Sequence, residues 1–196
     1  MIDLKSPART AKIDFALARR QPALTVVLEN IHDAHNVNAI LRSCDAVGVL
    51  KVHLLYTIES FPRLELTSAS GADKWLEYER HTSVEGCFAG LRDEGFQILA
   101  TELDATARSL YDFDLTKSTA IVLGNEHRGI SKEVSEMADS LVYIPMMGMA
   151  ESLNVSVASA VCLFEALRQR NEGGLYRAPQ LSPEALRSKR LEWQLK

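Results

Sequence analysis

The sequence has few cysteines and lacks any long apolar run. Its three cysteines, Cys44, Cys87 and Cys162, are odd in number and far apart, which argues against a disulfide framework and a thiolate metal site. We interpret them as small buried apolar residues. No apolar run approaches the ~18 residues of a membrane-spanning helix, and residues 1–5 do not resemble a signal peptide. We therefore expect a cytoplasmic protein without a membrane anchor.

Several common catalytic and ligand-binding motifs are also missing. The chain has no G-x-G-x-x-G and no phosphate loop that ends in Lys-Ser or Lys-Thr. It has no G-x-S-x-G elbow, which argues against an unrelated α/β hydrolase that uses Ser152. His32 and His35 are three residues apart but have no evident third ligand, so we predict no metal site.

The charge is unevenly distributed along the 196 residues. The net charge is −4, yet residues 1–22 carry +3, residues 165–196 carry +3, and the stretch between them carries −10. An acidic body with two basic ends is typical of proteins whose terminal extensions contact a polyanion. Solvated helix faces would give the same charge pattern, so charge alone leaves both interpretations open.

Apolar runs and helical patterns alternate along the chain. Short runs rich in β-branched residues predict buried strands at 24–28, 52–56, 97–101, 119–123 and 141–144. Between and beside them, the patterns predict helices at 8–20, 36–46, 83–94, 131–138, 154–170 and 183–194, with a long loop at 57–75. Such alternation predicts an α/β fold with a mostly parallel sheet and helices on both faces.

Three polar segments follow predicted strands. They are residues 35–42, the Gly-Asn-Glu-His-Arg-Gly sequence at 124–129, and residues 144–158. Ligands of open α/β sheets bind at the carboxyl ends of the strands, so we expect these segments to form one site. Each segment also has a purely structural explanation, because Asn36, Ser152 and Asn154 could cap helices and Arg42 could lie on the surface.

These segments resemble the SpoU (TrmH) branch of the SPOUT RNA methyltransferases. The three motifs of that family are matched by Asn36 with Arg42, by G-x-E-x-x-G at 124–129, and by the Ile-Pro…Ser-Leu-Asn-Val-Ser-Val-Ala run from Ile144. The resemblance extends over nearly the whole chain. The sequences at 19–22, 45–49 and 165–170 are similar to tRNA guanosine 2′-O-methyltransferases that act on position 18 of the D-loop.

The resemblance implies a deep trefoil knot in the C-terminal half of a domain at 23–171, between an N-terminal helical extension at 1–22 and a C-terminal extension with a helix at 172–196. Knotted folds are rare exceptions to ordinary topology, and nothing in the periodicity indicates one. The walls of the knot would bind S-adenosyl-L-methionine (SAM) as the cofactor. The corresponding residues here are Thr101, Leu103, Gly124, Asn125, Ile144, Met149 and Leu153.

The resemblance also places Arg42 at the catalytic centre, surrounded by Asn36, Glu126, Ser152 and Asn154. A guanidinium stays protonated in proteins, so we predict that Arg42 binds the substrate phosphate and stabilises the developing alkoxide. That phosphate or water would assist proton transfer. We predict that Glu126 orients Asn36 or Arg42 and does not act as a base.

Two partners are implied, tRNA and a second copy of the chain. The resemblance implies a homodimer with active sites near the subunit interface, and the apolar residues Val157, Val161 and Leu167 of the long helix are compatible with such a contact. We predict that phosphates are bound at the basic ends by Arg9, Arg19, Arg20, Arg168, Arg170 and Arg177.

We therefore predict a SAM-dependent tRNA (guanosine-2′-O)-methyltransferase that acts on guanosine 18 of the D-loop. The resemblance leaves two alternative substrates, the tRNA wobble nucleotide and an rRNA ribose. Shorter members of the family that act on the wobble nucleotide usually lack such basic ends, which favours the D-loop. A catalytically silent RNA-binding SPOUT protein is a further alternative. The intact Asn36, Arg42, Glu126, Ser152 and Asn154 argue against it, because a silent relative would be free to lose them.

Overall fold

One fully parallel, seven-stranded sheet organises the chain. The structure is a computed structural model that describes residues 6–62 and 71–196. The strands are β1 (Leu24–Glu29), β2 (Lys51–Leu55), β3 (Glu77–His81), β4 (Gln97–Thr101), β5 (Arg108–Ser109), β6 (Thr119–Leu123) and β7 (Ser140–Tyr143). The α-helices are α1 (Pro7–Leu17), α2 (Ala34–Val47), α3 (Val84–Asp93), α4 (Lys132–Met137), α5 (Val155–Glu172) and α6 (Pro183–Leu195).

The strand order is β3-β2-β1-β6-β4-β7-β5, and every pair is parallel. β1 and β6 lie side by side in the middle and are buried along their whole lengths. Their mostly apolar sequences suit this position, because a strand covered on both faces has no solvated side. The predicted parallel α/β sheet is therefore confirmed.

Two apolar cores lie on opposite faces of the sheet. On one face, α2 and α5 pack over side chains such as Val26 and Leu54. On the other face, α3 and α4 pack over their sequence neighbours Val27 and Leu55. Successive side chains of a strand point to opposite faces, which is why adjacent residues belong to different cores. The predicted helices on both faces are confirmed.

Helix α2 has clear stop and start signals. The Asp33 side chain caps its N-terminus by accepting from the amide of His35 at 2.8 Å. Gly48 ends it in the left-handed conformation, with φ of 85°. A Cβ at Gly48 would lie 2.5 Å from the carbonyl oxygen of Arg19, so glycine is also required by close packing. The helix therefore ends where the chain is pressed against the segment that follows α1.

The two terminal helices pack against each other. Ile13 and Leu17 of α1 form a small apolar cluster with Trp193 of α6. A salt bridge of 2.7 Å between Asp14 and Arg190 joins the same helices. The predicted boundaries at 22/23 and 171/172 remain a prediction. Among the described residues, no helix is both long and apolar enough to span a membrane.

Two strands were not predicted. β3 contains Glu77, Glu79 and Arg80, and it lies at the edge of the sheet, where polar residues are tolerated. β5 has only two residues and forms the opposite edge. Neither strand carries the apolar run on which strand prediction depends. The predicted loop at 57–75 contains a 3₁₀ turn at Ala72–Trp75, and residues 63–70 lie outside the described part of the chain.

The later strands are inserted between earlier ones. β6 lies between β1 and β4, and β7 lies between β4 and β5. The connection at 110–118 then covers α5, because Gln169 and Arg170 bond to backbone groups of Phe113 and Leu115. This close association of the connection and α5 is compatible with a knot, and the trefoil itself remains a prediction.

Candidate active site

A cleft of about 530 Å³ opens at the carboxyl ends of β4, β6 and β7. This is the edge at which parallel α/β sheets bind ligands. Nine of the predicted site residues line it, namely Thr101, Leu103, Gly124, Asn125, Glu126, Ile144, Ser152, Leu153 and Asn154. The structure therefore brings together the segments that follow three different strands.

The Gly-Asn-Glu-His-Arg-Gly turn forms one wall of the cleft. A Cβ at Gly124 would lie 2.3 Å from backbone atoms of Gly129 and Ile130, so only glycine fits where the turn folds back. Gly129 has φ of 69°, a conformation that other residues rarely adopt. The Asn125 side chain accepts from the amides of His127 and Arg128 and donates to the carbonyl of Asn30 at 2.7 Å. The two glycines thus allow the tight turn that presents residue 126.

Glu126 holds the beginning of α2. Its Oε1 accepts from the amide of Asp33 at 3.0 Å and from the side chain of Asn36 at 2.9 Å, while its Oε2 accepts from the amide of His32 at 2.9 Å. Burial raises the pKa of Glu126, but the hydrogen bonds from Asn36 and the backbone outweigh it, so the pKa lies below its ordinary value. Glu126 is therefore a carboxylate at neutral pH, and its acceptor oxygens are engaged in positioning.

Asn36 connects this carboxylate to the third motif. Its Oδ1 accepts from the side chain of Asn154 at 3.1 Å. Asn154 caps α5, because its own Oδ1 accepts from the amide of Ser156 at 2.9 Å. The alternative role of Asn154 as a helix cap is therefore correct, and the same side chain also contacts Asn36. Asn36 does not cap α2, since Asp33 does.

Arg42 does not line the cleft within this chain. It lies six residues after Asn36 on α2, which is about 9 Å farther along the helix axis and a third of a turn around it. Its side chain is exposed and forms no hydrogen bond or ion pair with the described residues. The catalytic centre implied by the resemblance is thus only partly assembled in a single chain.

Met149 is the one predicted cofactor residue that does not line the cleft. Its side chain is 99% exposed and does not line the cleft, because the segment at 147–150 projects into solvent. Met146 lines the cleft instead, three residues earlier on the same segment. The predicted contact of Met149 with the cofactor, which concerns backbone groups, stays a prediction.

Two of the predicted RNA-binding arginines are buried and require a correction. Arg20 is 1% exposed and bonds to Asp45 at 2.5 Å and to the carbonyl of Val49. Arg170 is also 1% exposed, and its guanidinium donates to the carbonyls of Leu115, Ala23 and Lys117 and to Gln21. Neither guanidinium can reach a phosphate, so both arginines serve the fold.

The other four predicted RNA-binding arginines remain accessible to differing degrees. Arg19 and Arg177 are exposed, and Arg19 lies 3.6 Å over the ring of Phe15. Arg9 is half-buried against Trp75. Arg168 is exposed, but Glu165 and Glu172 neutralise it at 2.7 Å. Their role in RNA binding stays a prediction.

Asn30 positions the loops beside the cleft, and the sequence interpretation missed it. It follows β1 directly and has φ of 50°, and its Oδ1 accepts from the amides of residues 57, 58 and 59 at 2.9–3.1 Å. It therefore fixes the loop after β2 beside the loop that contains Glu126. The sequence did contain a signal for this role. Asn30 comes directly after a buried strand, at the edge of the sheet where the other motifs converge.

A second unpredicted group lies on β2, β3 and α3. The ligand atoms of His53, His81 and Cys87 all lie within 4.8 Å of one another, and His53 Nδ1 is 2.9 Å from His81 Nε2. Burial lowers the pKa of His53 to about 4 and raises the pKa of Cys87 to about 12. Burial also lowers the pKa of His81 below its ordinary 6.5, so all three groups are neutral at pH 7. The expected absence of a metal stays a prediction.

Comparison with known proteins identifies the family. Residues 23–164 match the SpoU rRNA Methylase family. The chain belongs to this family. The resemblance seen in the three motifs is thus confirmed, and the match ends within α5 and excludes both terminal helices.

Relatives of this SpoU family member extend over nearly its full length. The tRNA (guanosine(18)-2′-O)-methyltransferase of Thermus thermophilus is 46% identical over 189 residues, which cover 96% of this chain and 97% of that one. The enzyme of the same name from Escherichia coli is 45% identical, over 92% of this chain and 79% of that one.

The fold is likewise shared with solved structures. The A. aeolicus TrmH/SpoU tRNA modifying enzyme superimposes with a TM-score of 0.89 at 38% identity, over 96% of this chain and 95% of that one. An AdoMet-bound rRNA methyltransferase from Sinorhizobium meliloti gives a TM-score of 0.68 at 28% identity, over 79% of this chain and 59% of that one. The agreement with the tRNA enzyme thus covers more of this chain than the agreement with the rRNA enzyme.

Proposed function

We propose that this chain transfers the methyl group of SAM to the ribose 2′-oxygen of guanosine 18 in tRNA. The observation that carries the proposal is the hydrogen-bonded series Glu126–Asn36–Asn154, which joins all three SpoU motifs and of which Glu126 and Asn154 line the cleft. The names of the relatives that align over nearly the whole chain support this substrate. A cytoplasmic location, where tRNA is modified, is part of the proposal.

The cleft fits SAM in size and chemistry. Its volume of about 530 Å³ lies within the range of small-ligand pockets. Leu103, Ile144 and Leu153 offer apolar walls, and the turn at 124–129 offers backbone polar groups. When bound, SAM supplies a methyl group that is already activated by a positively charged sulfur. A solved relative with bound AdoMet supports use of this cofactor.

The residues of the chain then have mainly positioning tasks. Glu126 and Asn36 hold the start of α2 against the turn at 124–129, and Asn154 ties the start of α5 to Asn36. Such rigid placement can align a ribose oxygen with a methyl carbon. Arg42 would bind the phosphate next to the target ribose and stabilise the negative charge that develops on the 2′-oxygen, while the phosphate or water takes the proton.

Arg42 would act in the cleft of the partner subunit of a homodimer. Two observations support this assembly: Arg42 is exposed and unpaired among the described residues, and α5, which packs beside α2, exposes Val157 and Phe164 on its outer side. Two apolar residues spaced seven apart on one helix face suit a helix of a second copy. The dimer would therefore both cover this face and complete the site.

Mixed dimers test this arrangement. A dimer of one Arg42→Ala subunit and one Asn154→Ala subunit retains one intact site if Arg42 acts across the interface, and none if it acts within its own chain. We expect about half of the wild-type methyl-transfer rate from purified mixed dimers, and almost none from either variant alone. An inactive mixed dimer would contradict the shared site.

Product mapping tests the substrate. The protein is incubated with bulk tRNA and methyl-labelled SAM, and the product is mapped by nuclease digestion and mass spectrometry. We expect 2′-O-methylguanosine at position 18. A methyl group on the wobble nucleotide, or transfer to rRNA alone, would contradict the substrate. Calorimetry that detects no SAM binding would favour a catalytically silent RNA-binding protein.

A further inference from the structure

A second cavity, of about 280 Å³, lies between the two terminal helices and the 3₁₀ turn at Ala72–Trp75. It shares no lining residue with the catalytic cleft. Its walls are aromatic, cationic and aliphatic, formed by Arg9, Lys12, Ile13, Ala16, Arg20, Asp45, Trp75 and Trp193.

Both tryptophans of the protein line this cavity, Trp75 as a half-buried side chain and Trp193 as a buried one that also packs on Ile13 and Leu17. The ring centroids of Trp75 and Trp193 are 5.0 Å apart, and the rings are tilted by 56°. The guanidinium carbon of Arg9 lies 5.9 Å from the Trp75 ring, and that of Arg20 lies 4.9 Å from the Trp193 ring. Indole faces and planar guanidinium groups are the surfaces on which nucleobases stack in proteins that bind unpaired nucleotides.

The charges at the cavity suit a nucleotide. Of its three cationic side chains, Arg20 is the one that forms a salt bridge with another described residue, Asp45, at 2.5 Å. Lys12 is exposed at the rim and forms no ion pair within the described part of the chain. The buried Nε atoms of Arg9 and Arg20 have no hydrogen-bond partner there either. Arg20 and Trp193 are 1% and 3% exposed and form the floor of the cavity. The accessible part therefore combines the half-buried ring of Trp75 with the positive charges of Arg9 and Lys12, which form no ion pair among the described residues.

We propose that this cavity binds a single purine base of the tRNA substrate that is turned out of its stack. The inference rests on the proposed function, since it assigns a second contact to the same substrate. A volume near the lower limit of small-ligand pockets, about 300 Å³, suits one base. A purine offers a larger face for stacking than a pyrimidine, and Lys12 is placed to contact its phosphate.

The position of the cavity relates it to catalysis. Asp45 lies three residues after Arg42 on α2, on the same side of the helix and about 4.5 Å farther along its axis. A phosphate bound at Arg42 would therefore place neighbouring nucleotides within reach of the cavity. The bound base would help to hold the target ribose in register, whichever subunit's cleft Arg42 serves.

Tryptophan emission reports directly on this cavity, because the protein contains no other tryptophan. The dimeric protein is excited at the red edge of the indole band and titrated with guanosine 5′-monophosphate, and separately with ribose 5-phosphate. We expect saturable quenching by the nucleotide alone. Unchanged emission with millimolar nucleotide would overturn the proposal, and so would an equal response to ribose 5-phosphate, which indicates an anion site.

Variants connect the cavity to tRNA. Trp75→Leu removes one stacking face, and we expect roughly ten-fold weaker tRNA binding together with weaker quenching of Trp193. Lys12→Ala, at an exposed rim position, provides a second variant that keeps the aromatic walls. Lys132→Ala on α4, whose side chain is 88% exposed, is the matched control and should bind tRNA as the wild type does.

The result separates this inference from the proposed function. SAM binding by calorimetry and methyl transfer to tRNA are measured on the same preparations. If the wild type methylates tRNA and both Trp75→Leu and Lys12→Ala bind tRNA with unchanged affinity, only the base-binding cavity is refuted. If the wild type methylates no tRNA, the proposed function itself fails.

Discussion

Asn36 donates its side-chain amide to Glu126 at 2.9 Å, although ninety positions separate the two residues in the chain. The same carboxylate accepts from the backbone amides of His32 and Asp33. One acidic side chain thus ties the start of α2 to the turn that follows β6. These contacts indicate that Glu126 positions the start of α2. A positioning role and a general-base role predict different effects of substitution at Glu126, so experiment can distinguish them.

We expect Glu126→Gln to keep more methyl-transfer activity than Glu126→Ala. Glutamine retains one acceptor oxygen, whereas alanine leaves all three donors without a partner and should lower the free energy of unfolding by about 1–3 kcal/mol. Urea unfolding and single-turnover rates measure both effects. Because the pKa of Glu126 lies below its ordinary value, its ionisation should not appear in the rate profile near neutral pH. A pH break that vanishes in Glu126→Gln would indicate a base.

Gly124→Ala should lower the free energy of unfolding by about 1–3 kcal/mol, because the added Cβ would lie 2.3 Å from the backbone of residues 129 and 130. It should also weaken SAM binding, since the turn forms a wall of the cleft. Gly90→Ala is the matched control. That glycine lies in α3 with no atom within 4 Å of a built Cβ, so alanine should stabilise the helix by roughly 0.5–1 kcal/mol. Equal effects of the two substitutions would refute the steric explanation.

Arg170→Lys should destabilise the protein without changing how salt affects tRNA binding. Lysine cannot satisfy the four acceptors that the guanidinium contacts, so we expect a loss of about 2–5 kcal/mol in the free energy of unfolding. Arg177→Ala provides the contrast, because that side chain is exposed. It should reduce the slope of log affinity against log salt by about one and leave stability nearly unchanged. If Arg170→Lys reduced the slope of log affinity against log salt and left the free energy of unfolding unchanged, Arg170 would contact a phosphate after all.

The His53 imidazole should make the protein less stable in mild acid. Burial lowers its pKa from 6.5 to about 4. Between these two values the unfolded chain binds the proton and the folded chain does not, so the free energy of unfolding falls as the pH falls. The full difference is about 3 kcal/mol. His53→Gln should flatten the curve of stability against pH measured by urea unfolding, whereas His35→Gln, at an exposed position of α2, should not. Parallel curves for wild type and His53→Gln would contradict this assignment.

Local sequence patterns were sufficient for most of the secondary structure. The buried runs at 24–28 and 119–123 became the two central strands, and the pattern at 154–170 became α5. These elements are determined by signals within a few residues, such as the apolar run and the capping residue. The edge strand β3 was missed because its polar sequence resembles a loop until β2 pairs with it.

The motifs likewise located the cleft, since nine predicted residues line it. The parallel sheet explains this success. All of its strands end at the same edge, so the residues that follow them lie close together there. The tertiary structure alone decided how those residues are used. In that structure Asn154 caps α5 and also contacts Asn36, whereas the side chain of Met149 lies in solvent.

The sequence therefore determined which elements form and which edge of the sheet carries the site, because these properties depend on periodicity and on position after a strand. Only the tertiary structure decided which charges are accessible. Arg170 and Arg177 are seven residues apart and chemically identical, yet one is bonded to backbone carbonyls in the interior and the other lies in solvent. Burial of a long side chain depends on the distant segments that pack around it, and no local pattern encodes them.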